Sequence, residues 1–326
     1  MKNGVFFSIS VLIALSAFLF SCSKDSENSG GKTNVNKKQS NSKIAFESTR
    51  GGTYDIWIMD ADGSNPVKLT DGKGWNRYTS WSPDGKSLSF VSSREKMNVF
   101  KLYVINADGT GLRKLTDASS KVGFSTWSPD GKKIAYATTV CCRGKDSDIF
   151  IVDADSSAAG NTKPINVTKT KDLNSKPDWS PDGTRIAFVT TTVVNEKDKI
   201  KDIYIINVDG TNLVKLTDSL TNDDSPCWSP DGKKIAYDSV IDGVADICVM
   251  NADGSDVVNL TQDNFKDFEP VWSPDGKEIA FATLRDGNRE IYVMNSDGTN
   301  LRSVSNHTML DDYPAWSPEI GKSVKE

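Results

Sequence analysis

Residues 272–305 read WSPDGKEIAFATLRDGNREIYVMNSDGTNLRSVS, and this stretch contains most of one copy of the unit that decides the fold. Pro274 fixes φ at the second position of a turn and Gly276 suits its fourth, which is typical of a type I turn between two strands. Asp297-Gly298 supplies a second turn between apolar segments. The pattern predicts four short antiparallel strands, named here A to D: A ends at the Trp, B is IAF, C is IYVM and D follows the Asp-Gly turn.

This unit occurs six times. Trp-Ser-Pro recurs with spacings of 46, 52, 49, 44 and 44 residues. The six tryptophans are Trp81, Trp127, Trp179, Trp228, Trp272 and Trp316. A four-stranded repeat of about 44 residues is typical of a β-propeller blade, which buries its apolar faces against its neighbours. The repeats therefore predict an all-β domain of six four-stranded antiparallel blades.

The two ends of the repeat array complement each other. The first copy begins at strand B, Ile44-Ala45-Phe46, whereas the last strand A, which ends at Trp316, has no strand B after it. If the C-terminal strand completes the N-terminal blade, the ring closes and that blade keeps no unpaired inner edge. We predict a six-bladed β-propeller closed in this way over residues 43–322, followed by a tail over residues 323–326.

The N-terminal residues predict a lipid anchor. Val5 to Phe20 is an apolar run of 16 residues, shorter than the roughly 20 that a membrane-spanning helix needs. The run ends in Leu19-Phe20-Ser21-Cys22, which resembles the lipobox of bacterial lipoproteins. We expect a signal peptide over residues 1–21, cleavage before Cys22 and lipidation of the Cys22 thiol. An ordinary secretory signal with an incidental Cys is the alternative.

A polar tether separates this anchor from the repeats. Apart from Val35, residues 23–42 have no large apolar side chain, so residues 22–42 read as a lipidated Cys followed by a flexible linker. Ser23 stands where the Asp signal for inner-membrane retention would sit, which favours the bacterial outer membrane. The sequence leaves open whether the protein faces the periplasm or the cell surface.

Charge and histidine content exclude several classes of function. The chain has 39 Lys and Arg against 44 Asp and Glu, and the basic residues form no stripe. Nucleic-acid binding is not expected, and contact with the membrane is expected through the lipid anchor only. His307 is the single histidine, which argues against His-based metal sites and catalytic triads. We expect no metal, no cofactor and a monomer.

The WSPDGK and IYVMNSDGTN elements resemble the WD40-like propeller repeats of the TolB family, and the match covers residues 43–322. The resemblance implies a six-bladed propeller and an envelope partner, since the family includes binders of a peptidoglycan-associated lipoprotein. Family members carry an α/β domain before the propeller, whereas a polar tether precedes Ile44 here, so we expect a different kind of member. Peptidases with similar propellers use a G-x-S-x-G elbow, which this sequence lacks.

Cysteine and aspartate patterns favour structural interpretations. Cys227 and Cys248 fall inside strands of blade 5, as small buried hydrophobes do. The vicinal pair Cys141-Cys142 lies in a loop, and its oxidation state stays open. From Asp60, EF-hand positions six and twelve would be Asn65 and Asp71 instead of Gly and Glu, so turn geometry explains the Asp-Gly segments better than calcium does. An acid recurs before strand C, at Asp55, Asp148, Asp202, Asp246 and Glu290, and this recurrence also indicates a structural role.

The copies differ mainly on one face. In a meander, the A–B and C–D turns share one face, here the turn face, while the B–C and D–A connections share the other, here the loop face. The B–C distances range from 10 to 15 residues and the D–A residues vary, whereas the turns are uniform except for a longer C–D connection in blade 3 and SPEIG in the last copy. Variable loops on a rigid scaffold usually carry function, so we predict binding on the loop face. Strand A should line the channel, since proline, which lacks an N–H for a ladder, precedes Trp at Pro177, Pro226, Pro270 and Pro314.

Acids and aromatics concentrate in the D–A connections of adjoining blades. We predict a partner site from these residues: Trp75, Arg77, Tyr78, Phe124, Lys176, Asp223, Asp224, Asp267, Phe268, Glu269, Asp311, Asp312 and Tyr313. Focused negative charge beside aromatic rings would attract a basic or hydroxyl-rich partner. A solvated acidic rim is the plain alternative, and a bound cation is a weaker one.

These observations favour a non-enzymatic, lipid-anchored envelope protein that binds another protein or an envelope polymer, such as a polysaccharide or a peptidoglycan-associated partner. The alternative is a carboxylate-dependent enzyme acting on polysaccharide, because a propeller can hold paired Asp or Glu at its channel mouth.

Overall fold

The computed structural model describes residues 42–116, 121–139, 147–156, 163–170, 172–195, 199–218 and 221–319. The predicted signal peptide, Cys22, the tether up to residue 41, Cys141-Cys142 and the tail over residues 323–326 lie outside these ranges. Within them every regular element is a β-strand, and no helix long and apolar enough to cross a membrane is found there.

The strands form six four-stranded antiparallel sheets, which we number as blades 1 to 6. Blade 1 consists of β24 (Asp311–Trp316), β1 (Lys43–Ser48), β2 (Asp55–Asp60) and β3 (Val67–Lys68). Blade 2 consists of β4 (Asn76–Trp81), β5 (Ser87–Ser92), β6 (Lys101–Asn106) and β7 (Arg113–Lys114). Blade 3 consists of β8 (Lys121–Trp127), β9 (Lys133–Thr139), β10 (Ile149–Asp153) and β11 (Ile165–Asn166). Blade 4 consists of β12 (Leu173–Trp179), β13 (Arg185–Val193), β14 (Lys199–Asn207) and β15 (Val214–Lys215). Blade 5 consists of β16 (Asp223–Trp228), β17 (Lys234–Ile241), β18 (Val244–Asn251) and β19 (Val258–Asn259). Blade 6 consists of β20 (Asp267–Trp272), β21 (Glu278–Thr283), β22 (Glu290–Asn295) and β23 (Arg302–Ser303).

Blade 1 combines the two ends of the repeat array. Strand β24 pairs with β1, with Trp316 opposite Ile44 and Asp312 opposite Glu47. The Ser317 amide also donates to the Lys43 carbonyl at 2.7 Å. The C-terminal strand is therefore the innermost strand of the N-terminal sheet, as the predicted closure requires.

Apolar packing between blades makes the ring. The buried hydrophobic residues form six clusters, and each cluster draws side chains from two neighbouring blades. One of them joins blade 6 to blade 1, where Ile291 and Val293 pack against Phe46 and Trp316. All six repeat tryptophans are buried in these clusters. Because every blade face is covered by a neighbour, the six-bladed propeller predicted from the repeats is confirmed.

The repeated acids accept hydrogen bonds from backbone amides and side chains of their own blades. In the A–B turn of blade 6, the Ser273 hydroxyl donates to Asp275 at 2.8 Å and accepts from the Glu278 amide at 2.9 Å. In the first Asp-Gly turn, Asp62 accepts from the Ser64 amide at 3.0 Å. These hydrogen bonds match the structural interpretation of the turns and need no calcium.

The acid before strand C holds strand D in place. Asp55 accepts from the Thr70 hydroxyl at 2.6 Å, and Glu290 accepts from the Ser305 hydroxyl at the same distance. Each of these acids therefore ties the short outer strand to its blade, which is the structural role that the recurrence predicts.

Candidate binding site at the loop end of the channel

A bulge in each strand A directs one side chain to the channel. The register between strands A and B shifts just before the Trp in all six blades. Five of the residues three before the Trp have φ between 48° and 55°, a conformation that L-residues adopt at an energetic cost. These positions hold Tyr78, Phe124, Lys176, Ser225, Glu269 and Tyr313, and all six line the channel. The bulge therefore recurs in every blade, while the side chain that it presents varies, with five residue types in the six blades.

Blades 1 to 3 contribute an aromatic cluster, which consists of Tyr78, Phe124 and Tyr313. Tyr78 stacks on Phe124 with ring centroids 4.0 Å apart and meets Tyr313 edge-on at 4.8 Å. The Lys176 ammonium, from blade 4, lies 5.2 Å from the Phe124 centroid and 5.9 Å from that of Tyr313. Since blades 1 and 4 stand opposite each other in the ring, side chains meet across the channel axis at this level.

Acids and bases interleave beside the aromatic cluster. They form a charged cluster made of Glu47, Arg77, Lys176, Lys201, Asp224, Asp238, Glu269, Arg289 and Asp312. Lys176 Nζ lies 3.1 Å from Asp224 Oδ1 and 3.9 Å from Glu269 Oε1. Lys201 also pairs with Asp224, so this carboxylate has two cationic partners. Charges from blades 4, 5 and 6 are therefore neutralised by one another.

Two arginines pair with further acids of the charged cluster. Arg77 Nε donates to Glu47 Oε2 at 2.8 Å, and the Tyr78 amide donates to the same carboxylate. Arg289 pairs with Asp312 and lies 3.5 Å from Glu269. Together, the aromatic and charged clusters form what we call the plug.

Burial governs the protonation of three plug acids. Desolvation raises the pKa of Glu47 to about 7, because it outweighs the neighbouring Arg77 guanidinium. It likewise raises the pKa of Asp238 to about 7 and that of Glu269 to about 8, and nearby carboxylates add to both shifts. These groups thus titrate around neutral pH.

Asp224 behaves in the opposite way. Although burial opposes ionisation, the ammonium groups of Lys176 and Lys201 hold the pKa of this carboxyl below its usual value. Asp224 is therefore the carboxylate that carries the negative charge shared by Lys176 and Lys201.

The plug bases other than Lys176 are clearly more exposed than its acids. The side chain of Glu47 is fully buried, and that of Asp224 is 12% exposed. By contrast, the side chains of Lys201 and Arg289 are 39% and 27% exposed. A molecule approaching the loop face therefore meets cationic groups and half-buried aromatic rings before it meets carboxylates.

The predicted site residues divide into an inner and an outer group. The residues that meet at the channel are Arg77, Tyr78, Phe124, Lys176, Asp224, Glu269, Asp312 and Tyr313. Phe268 lies beside them, with the Arg289 guanidinium 4.5 Å from its ring centroid. Trp75 lies farther out, where its ring is 5.7 Å from Tyr54 and 6.5 Å from Phe100.

The remaining three predicted acids do not join the cluster. Asp267 is held by Arg285 at 3.1 Å, Asp311 pairs with Arg50, and Asp223 accepts from the Ser239 hydroxyl at 2.6 Å. These contacts lie within blades 6, 1 and 5 because successive residues of a strand point to opposite sides. The expected row of six neighbouring carboxylates is thus split into two sets, each with its own partners.

Sequence reasoning did not identify four members of the plug: Glu47, Asp238, Lys201 and Arg289. Glu47 and Asp238 follow the aromatic residue of strand B, where the other four copies have Val or Ala. A charge at one of these otherwise apolar positions was the available signal. Lys201 and Arg289 precede the acid before strand C, a position whose residue differs in every copy, and this variation gave no indication of pairing.

No group of three or more His, Cys, Asp or Glu side chains arranged to hold a metal ion occurs among the residues that the structure describes. The two cysteines within those ranges, Cys227 and Cys248, are free. Cys248 is buried and Cys227 half-buried, in keeping with a packing role.

Comparisons with known proteins agree with this architecture. The Protein TolB homolog of Chlorobium luteolum is 30% identical over 165 residues, which is 50% of this chain and 34% of that protein. The Tol-Pal system protein TolB of Bordetella pertussis is 42% identical over 50 residues. The chain spans between 11% and 34% of the length of these two curated relatives.

Solved structures share the fold at low identity. The crystal structure of TolB from Acinetobacter baumannii matches with a TM-score of 0.73 and 20% identity, over 86% of this chain and 67% of that one. An oligogalacturonate lyase in complex with manganese matches with a TM-score of 0.58 and 17% identity, over 82% and 74% of the two chains.

The decisive match is to a family. The family model described as TolB beta propeller domain matches residues 93–324, well over half of the sequence. The chain therefore belongs to the TolB beta propeller domain family.

Proposed function

We propose that this protein is a non-enzymatic, lipid-anchored envelope protein that binds a protein or an envelope polymer on the loop face of its propeller. The observation that carries the proposal is the plug, in which the equivalent position of the six repeats, three residues before the Trp, holds Tyr, Phe, Lys, Ser, Glu and Tyr instead of one repeated residue. A purely structural position would be expected to repeat, as the turn residues do.

The exposed and half-buried groups of the plug and of the loop face around it indicate the kind of partner. Lys201 and Arg289 present cationic groups, while Tyr54, Trp75 and Phe100 form a half-buried aromatic row on blades 1 and 2. Arginine and large aromatic residues dominate binding energy at protein interfaces. Of the basic or hydroxyl-rich partner expected from the sequence, the hydroxyl-rich one suits this surface, as does a partner that offers carboxylates beside apolar groups.

The envelope location rests on two supports. Relatives of this chain are named as Tol-Pal system proteins, which favours a partner in the envelope, such as a peptidoglycan-associated protein. The lipobox-like segment ending at Cys22 favours attachment to the outer membrane through a lipid.

A fractionation experiment tests the anchor. Replacing Cys22→Ala should release the protein from the membrane fraction or leave it unprocessed, whereas Cys248→Ala, in the propeller, should not change its location. If wild type and Cys22→Ala fractionate alike with equal signal cleavage, the anchor proposal is wrong.

The enzymatic alternative has a specific test. The lyase with a similar fold motivates a screen of the purified protein against acidic and neutral polysaccharides. We expect saturable binding or none, without turnover. Turnover that is lost in a folded Glu269→Gln variant would instead support a carboxylate-dependent enzyme.

A further inference from the structure

The turn end of the channel contains a cavity of about 430 Å³. Its walls are the six strand A segments, from three residues before each Trp to two residues after it. The plug residues bound it on the loop side. On the turn side the wall ends at six half-exposed or exposed prolines: Pro83, Pro129, Pro181, Pro230, Pro274 and Pro318. The cavity therefore opens towards the turn face, away from the proposed partner surface.

The cavity wall is mainly apolar, with one acid below the level of the plug. The residue directly before the Trp is Ser80, Thr126, Asp178, Cys227, Val271 or Ala315 in the six blades. Asp178 is thus the single carboxylate at this level of the wall. Its side chain accepts from the Trp228 amide at 2.7 Å and from the Thr126 hydroxyl at 3.3 Å.

Asp178 differs from the plug acids in its partners. Among the described residues no Lys, Arg or His forms an ion pair with Asp178, whereas Asp224, Glu269 and Asp312 each have at least one cationic partner. Burial raises the pKa of Asp178 to about 6, so it is mostly ionised at pH 7.5. A carboxylate in an apolar cavity is stabilised when a cation joins it.

We propose that this cavity is a second binding site, which takes a small organic amine with a compact apolar body from the turn face. Its ammonium group would pair with Asp178, and its apolar part would contact the proline and tryptophan wall. A cavity of this volume is within the range of small-molecule sites, which combine apolar walls with few polar groups. This site does not depend on the loop-face partner.

Calorimetric titration of the purified full-length protein in detergent at pH 7.5 tests the proposal, with phenethylamine as the probe. The amine should bind saturably, and the isosteric alcohol 2-phenylethanol should bind at least tenfold more weakly because it lacks the charge. Asp178→Asn should weaken phenethylamine binding at least tenfold. The matched control Asp172→Asn lies just before the same strand, outside the cavity wall, and should bind like wild type.

A second variant separates site loss from misfolding. Thr79→Phe adds a ring to the blade 2 wall without removing Asp178, and it should abolish phenethylamine binding while the thermal transition stays cooperative. The proposal is overturned if phenethylamine shows no saturable binding up to about 10 mM. It is also overturned if folded Asp178→Asn or folded Thr79→Phe binds the amine as wild type does.

Discussion

The two ends of the channel are built by opposite rules. At the turn end, Trp-Ser-Pro recurs in every blade, and in five of the six turns the Ser hydroxyl donates to the Asp two residues later. At the loop end, the backbone bulge recurs, but the residue that it presents varies among Tyr, Phe, Lys, Ser and Glu. The repeated turn residues therefore maintain the ring, and the varied residues at the bulges determine the chemical character of the loop end.

The largest effect is expected where the repeat closes the ring. Trp316→Ala should lower the free energy of unfolding by about 3 to 5 kcal/mol, because it removes a buried aromatic ring between blades 6 and 1. Deleting residues 311–326 should be more damaging, since it removes β24 entirely. Chemical denaturation monitored by circular dichroism measures both.

Trp75 provides the matched control for Trp316. Its ring is half-buried on the loop face, so Trp75→Ala should cost clearly less. If deletion of residues 311–326 left the melting temperature unchanged, the six-bladed closure would be contradicted.

The next effect concerns the plug. Asp224→Asn should lower the free energy of unfolding by about 3 kcal/mol, because it removes the anion shared by Lys201 and the largely buried Lys176. The exposed acid Asp218 pairs with Lys215 on the surface, so Asp218→Asn should cost less than about 1 kcal/mol. Equal melting temperatures for the two variants would show that the plug contributes no stability.

This expectation reverses the one that the sequence alone gives. The acids before the last three tryptophans suggest a repulsive rim, which Asp224→Asn and Asp312→Asn would relax. In the folded ring, Asp312 pairs with Arg289 and Asp224 with Lys176 and Lys201. The double variant is therefore expected to lose stability. Pairing between blades depends on which side of strand A each residue occupies, and the bulge changes that side in a way that sequence spacing does not reveal.

The fold itself was predictable because its signals are local and repeated. Ser-Pro-Asp-Gly and Asp-Gly fix the turns, and the spacing of the tryptophans fixes the blade count. The site was predictable only in part. Tyr78, Phe124 and Tyr313 do meet at the channel, but Lys201 and Arg289, which pair with Asp224 and Asp312, come from other segments of the chain. Asp267 and Asp311 show the same limit, since Arg285 and Arg50 bind them within their own blades.

A smaller effect is expected from pH. Glu47, Asp238 and Glu269 have folded-state pKa values of about 7, 7 and 8, above their unfolded values, so the folded state binds more protons between about pH 4.5 and 8. Stability should therefore fall as pH rises through this window and level off only above about pH 9. Melting temperatures between pH 5.5 and 8.5 measure the slope, and Glu47→Gln should flatten it. Stability that increases across the same range would contradict the assigned burial of these acids.

The most direct test of the binding proposal compares the two faces of one blade. Met97 is exposed in the B–C connection of blade 2, and Lys86 is exposed in the A–B turn of the same blade. A photo-cross-linking amino acid placed at either position, in the full-length protein in its own envelope, reports what lies against each face. We expect a discrete cross-linked partner at Met97 and none at Lys86. A discrete partner at Lys86 with none at Met97 would contradict the binding proposal.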